Sequence, residues 1–169
     1  MAYNVFGNPI TNSTLEGMPE YNGKTITRTD RAHVALNMKN AADKDVNARQ
    51  YVENLKARWG NGVSTLCLLY NATGDTVTFV TSHDWHGHIG PGPYPTAMAN
   101  GQWGAFLHVK TSGAATGSSA AVVYHGMNGA GKGVIGWRLG PTHGTGTSTI
   151  TRPTLRFVKL VTSIILFGA

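Results

Sequence analysis

Three histidines stand close together in the stretch SHDWHGHIGPGPYP, which covers residues 82–95. His83, His86 and His88 carry imidazole nitrogens, which zinc and copper bind well. The candidates for a fourth ligand are Cys67, Asp84, His108 and His125. Strong zinc signatures pair two ligand couples at fixed spacing, whereas this is one irregular cluster. We therefore expect no metal or other cofactor, and keep a metal site at the three histidines as an alternative.

The same stretch favours ligand binding by aromatic side chains. Trp85 and Tyr94 lie among prolines and glycines, a composition typical of exposed loops. Aromatic rings beside amide and imidazole donors suit stacking on a sugar or holding a choline-like cation. The sequence predicts a shaped loop between strands that binds a carbohydrate or a lipid headgroup. The predicted ligand-binding residues are Trp85, His86, His88, Tyr94, Asn100 and Gln102.

No catalytic arrangement stands out in the sequence. There is no G-x-S-x-G motif, and only Asp75 and Asp84 supply carboxylates after residue 53. GMNGAGKG at residues 126–133 approaches a phosphate-binding loop, but Gly133 replaces the Ser or Thr and a strand pattern follows it. We interpret this segment as a hairpin turn and the protein as non-enzymatic.

Composition restricts the class of protein. A chain of 169 residues is one ordinary domain, and its 22 glycines favour a turn-rich β structure. The N-terminus lacks the basic and apolar regions of a secretory signal, and Cys67 alone cannot form an internal disulfide. No apolar run is long enough for a transmembrane segment. We expect a soluble, cytoplasmic protein.

The positive charge is unevenly placed. Residues 85–169 contain six Lys and Arg and no acid, whereas residues 1–84 contain all eight acids and eight Lys and Arg. A cationic half attracts anions, so weak association with nucleic acid or ribosomes is a second alternative. The six charges are spaced without a run. We expect a solvated basic face and no specific nucleic-acid partner.

Helical periodicity is confined to the first part of the chain. Residues 29–41 offer Thr29 and Asp30 as N-cap candidates. Residues 43–60 place acids at the start and bases at the end of a second helix. Its apolar residues follow i, i+3, i+4 and i+7 spacing, namely Ala48, Tyr51, Val52, Leu55 and Trp59.

The pattern becomes extended after residue 62. VSTLCLLYN and TVTFVTS flank the turn ATGD and predict a hairpin, and QWGAFLHVKT, SAAVVYHG and VIGWRL predict further strands. The predicted fold class is mainly β with N-terminal helices (α+β), an antiparallel β-sandwich preceded by one or two amphipathic helices. We expect a single domain with a turn-rich arm (1–28), a helical part (29–60), the sandwich (62–139) and a divergent tail (140–169).

The tail ends in LVTSIILFG, which has high β propensity and neither charge nor proline. We expect a partly ordered last strand within residues 155–167, with Leu155 and Phe157 facing inward. The alternative is a loosely attached segment, with self-association through the tail or an exposed edge.

The blocks WGNGVSTLCLLYNATG, HDWHGHI and NGQWGAFLHV resemble the 23 kDa jasmonate-induced proteins of plants, over about residues 1–137. The resemblance implies a stress and defence protein that accumulates under jasmonate signalling and has no established catalytic site. The order of aromatic residues is also similar to actinoporin-like sandwiches, in which aromatic residues contact phosphocholine, so a lectin-like or lipid-headgroup site is expected. Beyond Trp137 the sequence departs from the family, as a truncated or alternatively spliced member would.

Overall fold

The computed structural model describes residues 4–128, 131–139 and 162–167, with side chains over residues 4–126. The helices are α1 (Asn12–Glu16), α2 (Arg28–Asn37) and α3 (Lys44–Trp59), with 3₁₀ turns at Pro19–Tyr21 and Ala41–Asp43. The strands are β1 (Val5–Phe6), β2 (Ser64–Tyr70), β3 (Val77–His86), β4 (His88–Ile89), β5 (Ala97–Met98), β6 (Trp103–Val109), β7 (Ser119–Asn128), β8 (Gly131–Leu139) and β9 (Thr162–Phe167). Within these residues, no helix has the length and apolar character that crossing a bilayer requires.

The strands form two antiparallel sheets. The inner sheet has the order β1-β6-β2-β9, and β4 also pairs with β6. The outer sheet has the order β5-β3-β7-β8. The predicted α+β class, an antiparallel sandwich preceded by helices, is confirmed.

The inner sheet is buried on both faces. Leu66, Leu68 and Tyr70 of β2 pack with the helices, whereas Cys67 and Leu69 pack toward the outer sheet. A strand covered on both sides needs apolar residues at successive positions rather than alternate ones. This is why STLCLLY shows no polar alternation and why all seven residues of β2 are buried. The molecule therefore has three layers: helices, inner sheet and outer sheet.

Helix α3 packs on the inner sheet along the predicted face. Ala48, Val52 and Leu55 are buried, and Tyr51 and Trp59 pack partly buried against the same cluster. The predicted amphipathic helix is confirmed.

Helix α2 begins earlier than predicted. Its N-cap is Thr27, whose hydroxyl accepts from the Asp30 N–H at 3.3 Å. The Asp30 carboxylate in turn accepts from the Thr27 N–H at 2.9 Å. This reciprocal capping box places Asp30 inside the first turn, so the prediction of Thr29 or Asp30 as N-cap was wrong. Residues 1–28, predicted as an arm of turns, contain β1, α1 and a 3₁₀ turn in their described part.

The predicted hairpin of β2 and β3 is wrong, because the two strands belong to different sheets. The Asn71 side-chain amide donates to the Asp75 and Met98 carbonyl oxygens at 2.8 and 2.7 Å. The Gly74 N–H donates to the Asn100 side-chain oxygen at 2.9 Å. These bonds hold residues 71–75 as a connection that carries the chain from the inner to the outer sheet.

Two predictions concern the C-terminal strands. β7 and β8 pair antiparallel from Asn128↔Gly131 onward, which confirms that GMNGAGKG connects a hairpin. β9 pairs with β2, so a strand lies within the segment predicted to end the fold. Leu155 and Phe157 lie outside the described residues.

Candidate functional site

Strand β3 contains two bulges, and each adds one large apolar residue. Phe79 pairs with Tyr124 and Thr81 pairs with Val123, which leaves Val80 as an extra residue. Asp84 pairs with Ala120 and His86 pairs with Ser119, which leaves Trp85 as a second extra residue. A bulge bends the strand and redirects the side chains beside it.

Both bulged residues are exposed to solvent. Val80 is 53% and Trp85 is 47% exposed. In the part of the chain with described side chains, Val46 is the other exposed large hydrophobic residue, also at 53%. Val46 lies on α3, on the opposite side of the molecule. We call the outward surface of β3 with Val80, His83 and Trp85 the bulged face.

The bulged face has a defined aromatic geometry. The rings of His83 and Trp85 meet edge to face, with centroids 4.9 Å apart and planes at 78°. This contact orients the Trp85 ring while leaving about half of its surface in solvent. His86 and His88, which follow directly, are exposed as well.

The chain passes from the outer to the inner sheet at Gly87. His86 ends β3, and His88 begins β4 and pairs with Val109 of β6. Gly87 has φ +91°, and a Cβ atom there would overlap the Val109 carbonyl oxygen, so only glycine fits. The first half of SHDWHGHIGPGPYP is therefore strand and crossing rather than a loop.

The crossing separates the three histidines. His83 lies on the outer sheet, and His88 lies on the inner sheet, where its Nδ1 is 2.7 Å from the Ile89 carbonyl oxygen. Among residues with described side chains, no three His, Cys, Asp or Glu side chains come together as a metal site. The structure does not gather His83, His86 and His88 into the alternative metal site.

A chain of polar side chains, buried except at Asp84, lies behind the bulged face, and we call it the buried polar chain. His108 of β6 contacts the Asp84 carboxylate through Nε2 at 3.2 Å and the Ser118 hydroxyl through Nδ1 at 2.6 Å. The Thr65 hydroxyl of β2 donates to the Ser118 oxygen at 3.2 Å. Burial lowers the pKa of His108, although the nearby Asp84 opposes this effect, so the ring is neutral near pH 7. Neutral His108 donates from Nε2 to Asp84 and accepts from Ser118 at Nδ1.

Asp84, His108 and Ser118 match the residue types of a hydrolase triad, but the geometry does not suit catalysis. The side chain of His108 and residue Ser118 both have 0% exposure. A nucleophile must reach the substrate carbonyl, and this hydroxyl is enclosed between the sheets. The chain of hydrogen bonds connects the two sheets instead.

Tyr94 lies between the sheets rather than on an open loop. Its ring stacks on Phe79 at 5.3 Å and meets Phe106 edge-on at 4.9 Å. Burial, together with the charge of Asp84, raises the pKa of Tyr94 to about 12. The half-buried ring is part of the sandwich core, and the structure does not place it beside Trp85 on one surface.

Asn100 and Gln102 lie at the other end of the sandwich. Gln102 precedes β6, whose last residue, Val109, pairs with His88. The seven residues of β6 span roughly 20 Å. Asn100 is 4% exposed, and its side-chain amide forms hydrogen bonds with three backbone groups. The six predicted ligand-binding residues therefore do not form one site.

The sequence interpretation missed Val80 and did not select His83 as a ligand-binding residue. One signal for Val80 was available. In TVTFVTS, the polar alternation is broken where Phe79 and Val80 stand side by side, which is typical of a bulge or of an exposed apolar residue.

Comparisons with known proteins match most of the chain. A family model described as Nakanori-like protein matches residues 6–150. The 23 kDa jasmonate-induced protein of Hordeum vulgare is 56% identical over 124 residues, which cover 73% of this chain and 59% of the barley protein. The crystal structure described as lipid binding protein Nakanori has a TM-score of 0.71 and 35% identity, covering 81% of this chain and 66% of its own. The chain thus spans less than two thirds of either relative.

Proposed function

The chain belongs to the Nakanori-like family, and we propose that it is a non-catalytic protein that binds the headgroup region of a lipid surface through the bulged face. The observation that carries the proposal is that both bulges of β3 present a large apolar side chain to solvent. Both side chains lie on one strand, and exposed apolar surface of this kind is a candidate for contact with a ligand.

The chemistry of the bulged face suits a lipid headgroup region. An indole ring has an apolar body and one N–H donor, which is why tryptophan is enriched at membrane interfaces. The imidazole of His83 beside it supplies a donor for a phosphate or ester oxygen. The Asp84 carboxylate between them is hydrogen-bonded to His108 on the inner side of the strand, and one third of its side chain remains exposed.

The relatives support the same proposal. A solved structure similar to this chain is described as a lipid-binding protein. The barley relative is named a jasmonate-induced protein, which supports a role under jasmonate signalling. We extend both properties to this chain as part of the proposal.

Vesicle flotation tests the proposal directly. The probes are phosphatidylcholine vesicles with and without an anionic lipid fraction. Trp85→Ala should weaken binding about tenfold or more, because the variant lacks the exposed half of the ring that binding would remove from water. Val80→Ser should weaken binding about threefold or more. Val46→Ser is the matched control, with the same exposed fraction on the opposite layer, and should leave binding unchanged.

Each other outcome has a definite meaning. Vesicle binding that Trp85→Ala and Val80→Ser leave intact would refute the assignment to the bulged face. Binding to a glycan array that Trp85→Ala abolishes, without vesicle binding, would favour the carbohydrate alternative. Equal losses in all three variants would indicate a general effect on the fold.

A further inference from the structure

The side chains in the second half of β3 face the opposite way from what the alternation in its first half predicts. Val77 and Phe79 contribute to the core between the sheets. If the strand continued with strict alternation, His83 and Trp85 would face inward and Asp84 would face solvent. The bulge at Val80 shifts this pattern by one residue, so that Asp84 reaches the inner sheet.

The buried polar chain opposes a return to strict alternation. A slip of one residue would withdraw the Asp84 carboxylate from His108, whose other ring nitrogen is already bound by Ser118. The Nε2–H group of His108 would then lose its carboxylate partner inside the sandwich. Leaving a buried donor without a partner is unfavourable. Burial of the Trp85 indole would favour the slip. The cost of an unpaired His108 donor and the gain from burying Trp85 therefore oppose each other, and their balance decides which side chains of β3 face solvent.

We propose that the Asp84–His108 hydrogen bond fixes the bulge at Val80 and so keeps Trp85 on the bulged face. Asp84 and His108 are then positioning residues for ligand binding, an inference that rests on the proposed function. Ser118, which directly precedes β7, holds the His108 ring through a hydrogen bond. Thr65 of β2 donates to the Ser118 hydroxyl and so connects β2 to the same hydrogen bonds.

Cysteine labelling measures which side chains of β3 face solvent, and it requires no lipid. Thr81 is exposed and Ser82 is half-buried, and both are close in size to cysteine. Thr81→Cys and Ser82→Cys are made separately in the full-length protein, and their rates of labelling by a maleimide are compared. The native Cys67 is 1% exposed and gives a low background.

The ratio of the two rates is the diagnostic quantity. With Asp84 intact, position 81 should be labelled at least about fivefold faster than position 82. Asp84→Ser should lower the ratio toward one or invert it, whereas Asp84→Asn keeps an acceptor for His108 and should preserve it. A purely structural role would raise both rates together and leave their ratio unchanged.

A second carboxylate provides the matched control. The Asp75 side chain is 31% exposed, against 33% for Asp84, and it also bonds the side chain of a residue distant in sequence, Arg31, at 3.0 Å. Asp75→Ser should lower stability without changing the labelling ratio. If Asp84→Ser does not fold, Ser118→Ala loosens the His108 ring and should lower the ratio part of the way.

An unchanged labelling ratio in both Asp84→Ser and Ser118→Ala would overturn the inference. This result is distinguishable from failure of the proposed function. The positioning role fails alone if the ratio stays constant while Trp85→Ala still weakens vesicle binding. The proposed function fails alone if the ratio changes as expected while vesicle binding is insensitive to Trp85→Ala.

Discussion

Asn100→Ala should strongly destabilise the fold and leave ligand binding by the folded protein unchanged. The Asn100 amide donates to the carbonyl oxygens of Ile10 and Arg31, each at 3.0 Å. Its oxygen accepts from the Gly74 N–H at 2.9 Å. One buried side chain thus joins the N-terminal segment, α2 and the connection between the sheets.

The magnitude follows from three backbone groups. The Ile10 carbonyl and the Gly74 N–H lose their partner, whereas the Arg31 carbonyl loses its second bond and keeps the one within α2. A buried group left unsatisfied costs about 1–3 kcal/mol. Partial access of water to the enlarged site reduces the sum, so a loss of about 3–6 kcal/mol is expected for three groups. For a chain of this length the lower value already corresponds to a fall in melting temperature of about 6–12 °C.

Urea unfolding followed by circular dichroism measures this loss at pH 7. Gln102→Ala is the control. The Gln102 side-chain amide donates to the Gly7 carbonyl oxygen and accepts from the Ala99 N–H, and both bonds lie closer to solvent than those of Asn100. The control should lose about 1 kcal/mol, since water replaces part of its bonding. A loss below 1 kcal/mol for Asn100→Ala would refute the structural role. Loss of vesicle binding in folded Asn100→Ala would instead support its predicted role as a ligand residue.

Two further predictions concern backbone space and pH. Gly87→Ala should cost about 3 kcal/mol or more in urea unfolding, because its Cβ overlaps the Val109 carbonyl oxygen at positive φ. Gly113→Ala, also at positive φ but with open space around it, should cost about 1 kcal/mol, and equal losses would contradict the crowding argument. Burial lowers the pKa of Lys44, so above that pKa the unfolded chain binds more protons. The stability of the protein relative to Lys44→Met should therefore rise between pH 7 and the ordinary lysine value of 10.5, and urea titrations showing a falling difference would refute this.

Local patterns predict the elements of this fold better than their pairing. The face of α3 with Ala48, Val52 and Leu55 is visible because helical spacing is a property of neighbouring residues. The pairing of β2 with β3 was mispredicted because a turn signal at Gly74 does not say which sheet the next strand joins. That choice depends on bonds from Asn71 and Asn100 to distant backbone groups.

The candidate site is harder to predict for the same reason. The sequence predicts an exposed Trp85 because the residue lies near prolines and glycines, but its position as a bulged residue depends on the register with β7. Tyr94 also lies among prolines and glycines, yet its ring packs against Phe79 and Phe106 in the core. Proline and glycine around an aromatic residue indicate a change of chain direction, and do not decide whether the ring is buried.

The layered fold explains how β3 tolerates two exposed apolar residues. Among residues with described side chains, the inner sheet and α3 contribute most of the buried apolar residues, and neither Val80 nor Trp85 belongs to these clusters. The inward-facing Asp84 in the second half of β3 reaches His108 through a hydrogen bond, so this half stabilises the sandwich by polar contacts. Substitutions at Val80 and Trp85 therefore remove surface that a ligand would cover without creating a cavity in the core. Binding and stability are separable on this strand, because its bulges turn apolar residues outward while its polar residues hold it to the inner sheet.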